Sequence, residues 1–250
     1  MLYQHSAALF DIRYAQKDYA AEISRFAKLA ARIHPTASTL LDVACGSGLH
    51  LQHLRSGYRV EGLDISPELL QTARSRLVDV PLHQGDMSDF SLERSFDLVT
   101  SFFASIAYLP DVETMRQSIA SMAKHLATGG VLFLEPWLTP AAYRENEVVH
   151  NFRRTPERAI SWMYVMRRRG SVAVWDIHWL VGMPEDGVTY FMETEELSLF
   201  TTEEVIGAMR DAGLDVVHNT RGLHGYGAMI ARAESWSAQE ITAIHEALAD

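Results

Sequence analysis

The sequence predicts an α/β fold: a doubly wound, mostly parallel sheet with an antiparallel strand insertion after strand five. Three observations predict it. Short apolar runs alternate with helical periodicities from about residue 18 to 135, the pattern that builds a parallel sheet with helices on both faces. A turn of small residues, Ala44-Cys45-Gly46-Ser47-Gly48, follows the first of these runs. After Pro136 the pattern changes to long alternating segments rich in Val, Trp and Tyr, which read as antiparallel strands.

The elements follow in order. Tyr19, Ile23, Phe26, Ala30 and Ile33 recur at helical spacing, and Pro35 stops that helix. Thr39 to Val43 is a buried strand, followed by the small-residue turn and a helix through about Leu54. Arg59 to Asp64 is the second strand. Ser66-Pro67-Glu68 places a capping hydroxyl before proline at the first helical position, and Leu69, Leu70, Ala73 and Leu77 form that helix's buried face. Pro81 to Gln84 is a short third strand and Phe96 to Ser101 a fourth. Val112 to Leu126 is helical, Gly129-Gly130 breaks it, and Val131 to Leu134 is the fifth strand. Ile160 to Arg167, Val172 to Val181 and Val188 to Phe200 form the inserted group. Thr201-Thr202-Glu203-Glu204 is a capping box and Gly213 closes its helix. Leu214 to His218 and Tyr226 to Arg232 read as a closing hairpin. Ser237-Ala238-Gln239-Glu240 starts a last helix bearing Ile241, Ile244 and Leu248.

Composition narrows the function. The chain has 250 residues, 48% hydrophobic and 22% charged, which suits a globular enzyme. Its formal net charge of −10 opposes general binding to nucleic acid or anionic membrane. One cysteine excludes an internal disulfide and suits a reducing, cytoplasmic setting. No apolar run reaches about 18 residues, so no membrane span is expected, and Met1 to Ala20 lacks a signal-peptide core. The eleven histidines are scattered without a paired motif, so no metal site is expected.

The turn after the first strand lets a ligand approach the backbone closely. By itself it equally suits a plain strand-to-helix turn. Asp64, at the end of the second strand, can accept both hydroxyls of a ribose. Asp86 beside Met87, after the third strand, can bond an adenine amine and cover its ring. The glycines lack the G-x-G-x-x-G spacing that suits a pyrophosphate and the Lys-Ser/Thr of a phosphate loop. A nucleoside without phosphates therefore fits better than a dinucleotide, which disfavours a dehydrogenase.

Together, Asp42 to Gly48, Asp64 and Asp86-Met87 resemble the class I S-adenosylmethionine (SAM)-dependent methyltransferases. Further segments narrow the resemblance: Phe10-Asp11 with Tyr14, Lys17-Asp18-Tyr19-Ala20-Ala21-Glu22, Leu40 to His50, and His83-Gln84-Gly85-Asp86-Met87-Ser88-Asp89-Phe90. Ser105-Ile106-Ala107-Tyr108-Leu109, His125-Leu126 with Gly129-Gly130-Val131, and Glu135-Pro136-Trp137 complete it. These look like the TDP-amino-sugar N,N-dimethyltransferases of macrolide sugar biosynthesis, from the N-terminus to about Arg232. The resemblance implies that Tyr19, Ala44, Gly46, Asp64, Ile65, Asp86, Met87, Ser101 and Phe102 bind SAM and its product S-adenosylhomocysteine. It implies a catalytic Tyr14 beside the reacting amine and His125 as a base, although His125 also suits a helix C-terminal cation. Where that family has Gly-Arg-Gly in the last hairpin, this chain has Gly225-Tyr226-Gly227. Where it has a His-containing segment, this chain has Glu193-Thr194-Glu195-Glu196. Both differences lower the positive charge available to a diphosphate.

Acceptor residues are expected at Tyr108, Glu135, Trp137, His178, Glu193, Glu195 and Tyr226. Asp176 and His178 share one face of their strand, and Glu193 and Glu195 share one face of theirs. If both polar faces meet the cavity, a cationic acceptor such as an amino acid side chain, guanidine or polyamine is favoured. Arg153, Arg154 and Arg167-Arg168-Arg169 argue the other way, since they can meet phosphate.

The expected division is an N-terminal lid and helix (1–35), a SAM-binding core (36–136 and 201–234), an antiparallel acceptor cap (137–200) and a C-terminal helix (235–250). The expected activity is methyl transfer to the neutral nitrogen of a small amino compound in specialised metabolism, such as antibiotic biosynthesis. A small-molecule O-methyltransferase and a non-catalytic methyltransferase-like binding protein are the alternatives. Exposed edges of the inserted strands would allow a homodimer.

Overall fold

The computed structural model describes residues 7–249; the first six residues of the expected N-terminal lid and Asp250 lie outside the described residues. A seven-stranded sheet holds strands β1 (Thr39–Val43), β2 (Arg59–Asp64), β3 (Leu82–Gln84), β4 (Phe96–Ser101), β5 (Leu126–Leu134), β11 (Asp215–Asn219) and β12 (Ala228–Arg232). Its order is β11-β12-β5-β4-β1-β2-β3. The pairs β1–β2, β1–β4, β2–β3 and β4–β5 are parallel. The last hairpin closes the edge antiparallel to β5.

The helices are α1 (Phe10–Arg13), α2 (Tyr19–Ile33), α3 (Leu49–Leu54), α4 (Pro67–Arg76), α5 (Val112–Lys124), α6 (Thr202–Asp211) and α7 (Ala238–Ala247). One core joins Phe26 and Leu29 of α2 and Ile244 of α7 to Leu40, Leu98 and Phe133 of the sheet. The other joins Met115 and Ile119 of α5 and Val205 of α6 to Leu41, Val99 and Leu132. The caps follow the chemistry of the sequence. Ser66 accepts from the backbone N–H of Leu69. Thr201 with Glu204 and Ser237 with Glu240 form reciprocal capping boxes.

The inserted chain forms a separate antiparallel sheet from β6 (Val148–Arg154), β7 (Ala159–Val165), β8 (Arg167–Arg169), β9 (Val172–Met183) and β10 (Gly187–Ser198). Its order is β10-β9-β7-β6, with β8 also paired to β9. A third core of Leu9, Ile160, Trp162, Trp175, Ile177, Trp179 and Leu197 sits beneath it.

Short α1 and β8 were not expected, and two further elements differ from expectation for a physical reason. Strand β6 carries His150, Asn151, Arg153 and Arg154 on an edge, so polarity hides its alternation. Helix α5 ends at Lys124, and Gly129-Gly130 lies inside β5, where a Cβ on Gly130 would meet the Ala127 and Phe96 carbonyl oxygens at 2.9 and 3.0 Å. The glycine is required by close backbone approach, not by a helix end.

Candidate active site

A cavity of about 390 Å³ opens outside the carboxyl ends of the parallel strands, where open α/β sheets bind ligands. Ala44 after β1, Asp64 and Ile65 at the end of β2, and Phe103 after β4 all line it. Ala44 and Gly46 both adopt positive φ, 62° and 56°, a conformation that costs a residue with a Cβ free energy and is characteristic of built sites. The backbone N–H of Gly46 donates to Asp64 Oδ2 at 2.7 Å, and that of Ser66 donates to Oδ1 at 2.9 Å. Burial raises the Asp64 pKa against the opposing bonds from Ser66, Gly46 and Ile65. Each oxygen retains lone pairs for a ligand hydroxyl.

The N-terminal segment lies across this loop. Ser47 Oγ donates to Asp11 Oδ1 at 2.6 Å, and Arg76 pairs with the other Asp11 oxygen. A Cβ on Gly46 would meet the Phe10 ring at 3.9 Å. Tyr14 lines the cavity and packs edge-on to Phe10 and Phe103, at centroid distances of 4.9 and 5.0 Å. Burial raises its pKa, with Arg13 opposing, so the phenol stays protonated at neutral pH.

Tyr108, Trp137, Trp162, Tyr164 and Trp175 form an aromatic wall on the cap side of the cavity. Behind it, Arg13 donates to Glu195 through both terminal nitrogens, at 2.5 and 3.3 Å, with both residues buried. Register decides which acids face inward. Glu193 and Glu195 stand opposite Ile177 and Trp175, on the inner face of the cap sheet.

Beneath the cavity lies a buried ion network. His224 Nδ1 meets Glu22 at 2.9 Å and its Nε2 meets Glu135 at 3.0 Å. Lys17 pairs with Glu22, and His50 Nε2 lies 3.2 Å from the same carboxylate. Burial disfavours a charged His224, but bonds to Glu135 and Glu22 outweigh it and lift its pKa to about 9. Burial likewise opposes ionisation of Glu22, and bonds from His224, His50 and Lys17 overcome it and lower its pKa. Burial lowers the His50 pKa, so that ring is neutral. Glu135 also accepts from the backbone N–H of Phe103 at 2.9 Å and of Leu223 at 3.3 Å. Phe103 and Ala104 have φ of 56° and 60°, so Glu135 helps to hold two consecutive left-handed residues on the cavity wall.

Of the residues singled out in the sequence, the structure brings Tyr14, Ala44, Gly46, Asp64, Ile65, Met87, Tyr108, Trp137, Arg153 and Tyr226 to this one cavity. The others stand elsewhere. His125 caps α5, the helix that leads into β5, and so lies at the amino end of a strand whose carboxyl end meets the site. Its ring stacks on Phe90 at 4.4 Å, with Nδ1 on the Ser121 carbonyl oxygen and Nε2 on the Leu92 N–H. That geometry removes it as the base. His178 is on the outer face of the cap, bonded to Tyr190, and Asp176 bonds Thr194 on the same face. Glu135 turns inward to the ion network, and Glu195 to Arg13, so neither presents a carboxylate to an acceptor. Glu193 shares the inner face but does not line the cavity. Tyr19 and Phe102 are buried against His50. Ser101 is buried, and its Oγ has no hydrogen-bond partner. Asp86 is exposed and braces its own turn through Ser88.

Arg13, Phe103, Asn151, Trp162 and Tyr164 of the lining carry no local signal of a site, and neither does the ion network. Phe10 was visible inside a motif. The network joins residues from α2, α3, the end of β5 and the last hairpin, and no local spacing signals such a set.

Comparison with known proteins agrees with this geometry. A methyltransferase-domain profile matches residues 40–130. The chain is 38% identical over 227 residues to the dTDP-3-amino-3,4,6-trideoxy-alpha-D-glucopyranose N,N-dimethyltransferase of Streptomyces venezuelae, covering 90% of this chain and 96% of that protein. It superposes on the crystal structure of Streptomyces venezuelae DesVI with a TM-score of 0.87 and 38% identity, covering 91% of this chain and 98% of the other. It superposes on SAM-bound CalS10, an amino pentose methyltransferase from Micromonospora echinaspora involved in calicheamicin biosynthesis, with a TM-score of 0.83 and 35% identity, covering 94% and 98%.

Proposed function

The chain belongs to the dTDP-amino-sugar N,N-dimethyltransferases, SAM-dependent enzymes of the class I fold, and we propose on that premise that it methylates the amino nitrogen of a deoxyamino sugar carried on a nucleoside diphosphate. One observation carries the reading: the glycine loop with Asp64 and the aromatic wall with Tyr14 line a single cavity, so a methyl donor and an acceptor can meet without crossing solvent.

The residues present fit SAM. The small-residue loop admits a ligand against the backbone, and both Asp64 oxygens keep lone pairs beyond their bonds from Gly46 and Ser66. Asp64 would hold the ribose, Ala44 and Gly46 would flank the methionine portion, and Ile65 and Met87 would cover the adenine. When bound, SAM supplies an electrophilic methyl group. The chain's own residues then position the nitrogen. Among the described residues the cavity lining contains no histidine and no carboxylate besides Asp64, which the loop already engages. The amine must dock as the neutral base, since a protonated nitrogen has no lone pair to accept a methyl group. The Tyr14 phenol orients the neutral lone pair, and the aromatic wall excludes water. Positioning alone supplies a large part of such rate enhancements, roughly 7–11 kcal/mol in well-oriented systems.

The test incubates the enzyme with SAM and either a dTDP-amino sugar or the matching sugar nucleotide bearing hydroxyl in place of the amine, read by mass spectrometry. One or two added methyl groups on the amino sugar alone are expected. Methylation of the hydroxyl analogue would overturn nitrogen as the acceptor.

A further inference from the structure

Two arginines flank a stacked indole pair in the cap. Trp162 and Trp179 stack at a centroid distance of 5.3 Å. Arg13 lies 5.5 Å from the Trp179 ring, and Arg153 lies 5.5 Å from the Trp162 ring. Their electrostatic situations differ. Arg13 is met by the buried Glu195 carboxylate. Arg153 forms no ion pair with any described carboxylate. Its Nη1 donates to the Phe152 carbonyl oxygen at 2.8 Å, and its buried Nε has no acceptor. Arg153 nevertheless lines the cavity, beside Asn151 on the same face of edge strand β6.

An arginine with an unused buried donor on a cavity wall, in a chain of net charge −10, is a local anion site and not part of a general basic field. A guanidinium presents several N–H groups in one plane, matched to two oxygens of a phosphate. The Trp162 ring beneath keeps that plane in place. The loop of Ala44 and Gly46 belongs to the main sheet, whereas Arg153 stands on the cap sheet beside Asn151 and Trp162, on the acceptor side of the cavity. The anion belongs to the acceptor.

Resting on the proposed sugar-nucleotide acceptor, we propose that Arg153 binds the diphosphate of a nucleoside diphosphate sugar and selects nucleotide-linked amino sugars over free ones. Arg13, already neutralised by Glu195, orders the wall without taking the phosphate.

The experiment is calorimetry on the intact protein saturated with S-adenosylhomocysteine, using dTDP, thymidine and inorganic pyrophosphate as probes against wild type, Arg153→Ala and Arg153→Lys. Wild type is expected to bind dTDP more tightly than thymidine. Arg153→Ala should weaken dTDP by about 10–100-fold, the range for a charge-assisted pair, and leave thymidine and S-adenosylhomocysteine within about twofold. Arg153→Lys should recover part of the loss, since it restores charge without the planar fork. With the full substrate, KM should rise in Arg153→Ala by more than kcat falls. Unchanged S-adenosylhomocysteine binding shows that each variant is folded. Pyrophosphate binding that equals dTDP binding and survives Arg153→Ala would overturn the assignment, as would dTDP affinity equal in wild type and Arg153→Ala. Failure of wild type to bind dTDP at all, while it methylates a free amino sugar, would overturn the nucleotide-linked reading itself.

Discussion

Arg13 and Glu195, 182 positions apart in the chain, form a buried two-point ion pair, with Nη1 2.5 Å from Oε1. The pair joins the N-terminal segment to the inner face of the cap. It also sets the electrostatics of the cap side of the cavity. The acid that alternation assigned to a cationic acceptor is already matched by an internal cation.

Glu195→Gln should therefore destabilise the fold and not merely alter specificity. Removing one partner of a buried pair costs about 3–5 kcal/mol, because the other charge is left uncompensated. Urea unfolding should show this loss, and Arg13→Met combined with Glu195→Leu should regain much of it. Equal losses in the single and double variants would show that the pairing is not what the fold depends on.

Tyr14→Phe removes a hydroxyl from the cavity without altering the edge-on ring contacts to Phe10 and Phe103. We expect kcat to fall by about 10–100-fold with S-adenosylhomocysteine affinity within twofold, the scale of one hydrogen bond to the reacting group. Unaltered turnover would take Tyr14 out of the chemistry.

Asp64→Ala should cost cofactor affinity about 10–100-fold, as expected for hydrogen bonds to a charged group. The variant also frees the Gly46 and Ser66 N–H groups that brace the loop. Calorimetry with S-adenosylhomocysteine checks this, and tight binding by the variant would place the ribose elsewhere.

His125→Gln should leave kcat/KM of the stable enzyme unchanged while lowering the melting temperature. The ring bonds Ser121 and Leu92 and stacks on Phe90, all outside the cavity. A loss of about 1–3 kcal/mol is expected from its buried partners. A large fall in kcat with normal stability would return His125 to the mechanism.

The ion network makes stability depend on alkaline pH. The folded-state pKa of His224 is raised to about 9, above the roughly 6.5 of an unfolded histidine. Its contribution is therefore fully present below about pH 6.5 and is lost as pH rises through about 9. The groups facing it are Glu22, Glu135, Lys17 and, through Glu22, neutral His50. Melting temperature should fall between pH 6.5 and 9.5, and His224→Gln should flatten that decline. An identical decline in the variant would assign it to other groups.

Much of this protein was determined by local sequence. Periodicity located all seven strands of the main sheet and its principal helices, because a strand buried on both faces reads as a continuous apolar run. The small-residue turn, Asp64 and Met87 were legible because each sits at a fixed offset from a strand end, and the wider motif resemblance identified the family. Polar alternation, by contrast, cannot reveal which face of a strand is inside. The pairing of β9 with β10 put Glu195 with Trp175 and left His178 outside. Arg153 was visible as an arginine that can meet phosphate, but edge strand β6, which aims it into the cavity, was hidden, since alternating polarity on an edge looks like a solvated loop. His125 was misplaced because a helix end and a strand end adjacent in sequence lie at opposite poles of a parallel sheet from the next strand's exit. The network around His224 needed four separate elements to converge, and only burial, which no spacing encodes, brings their charges within bonding distance.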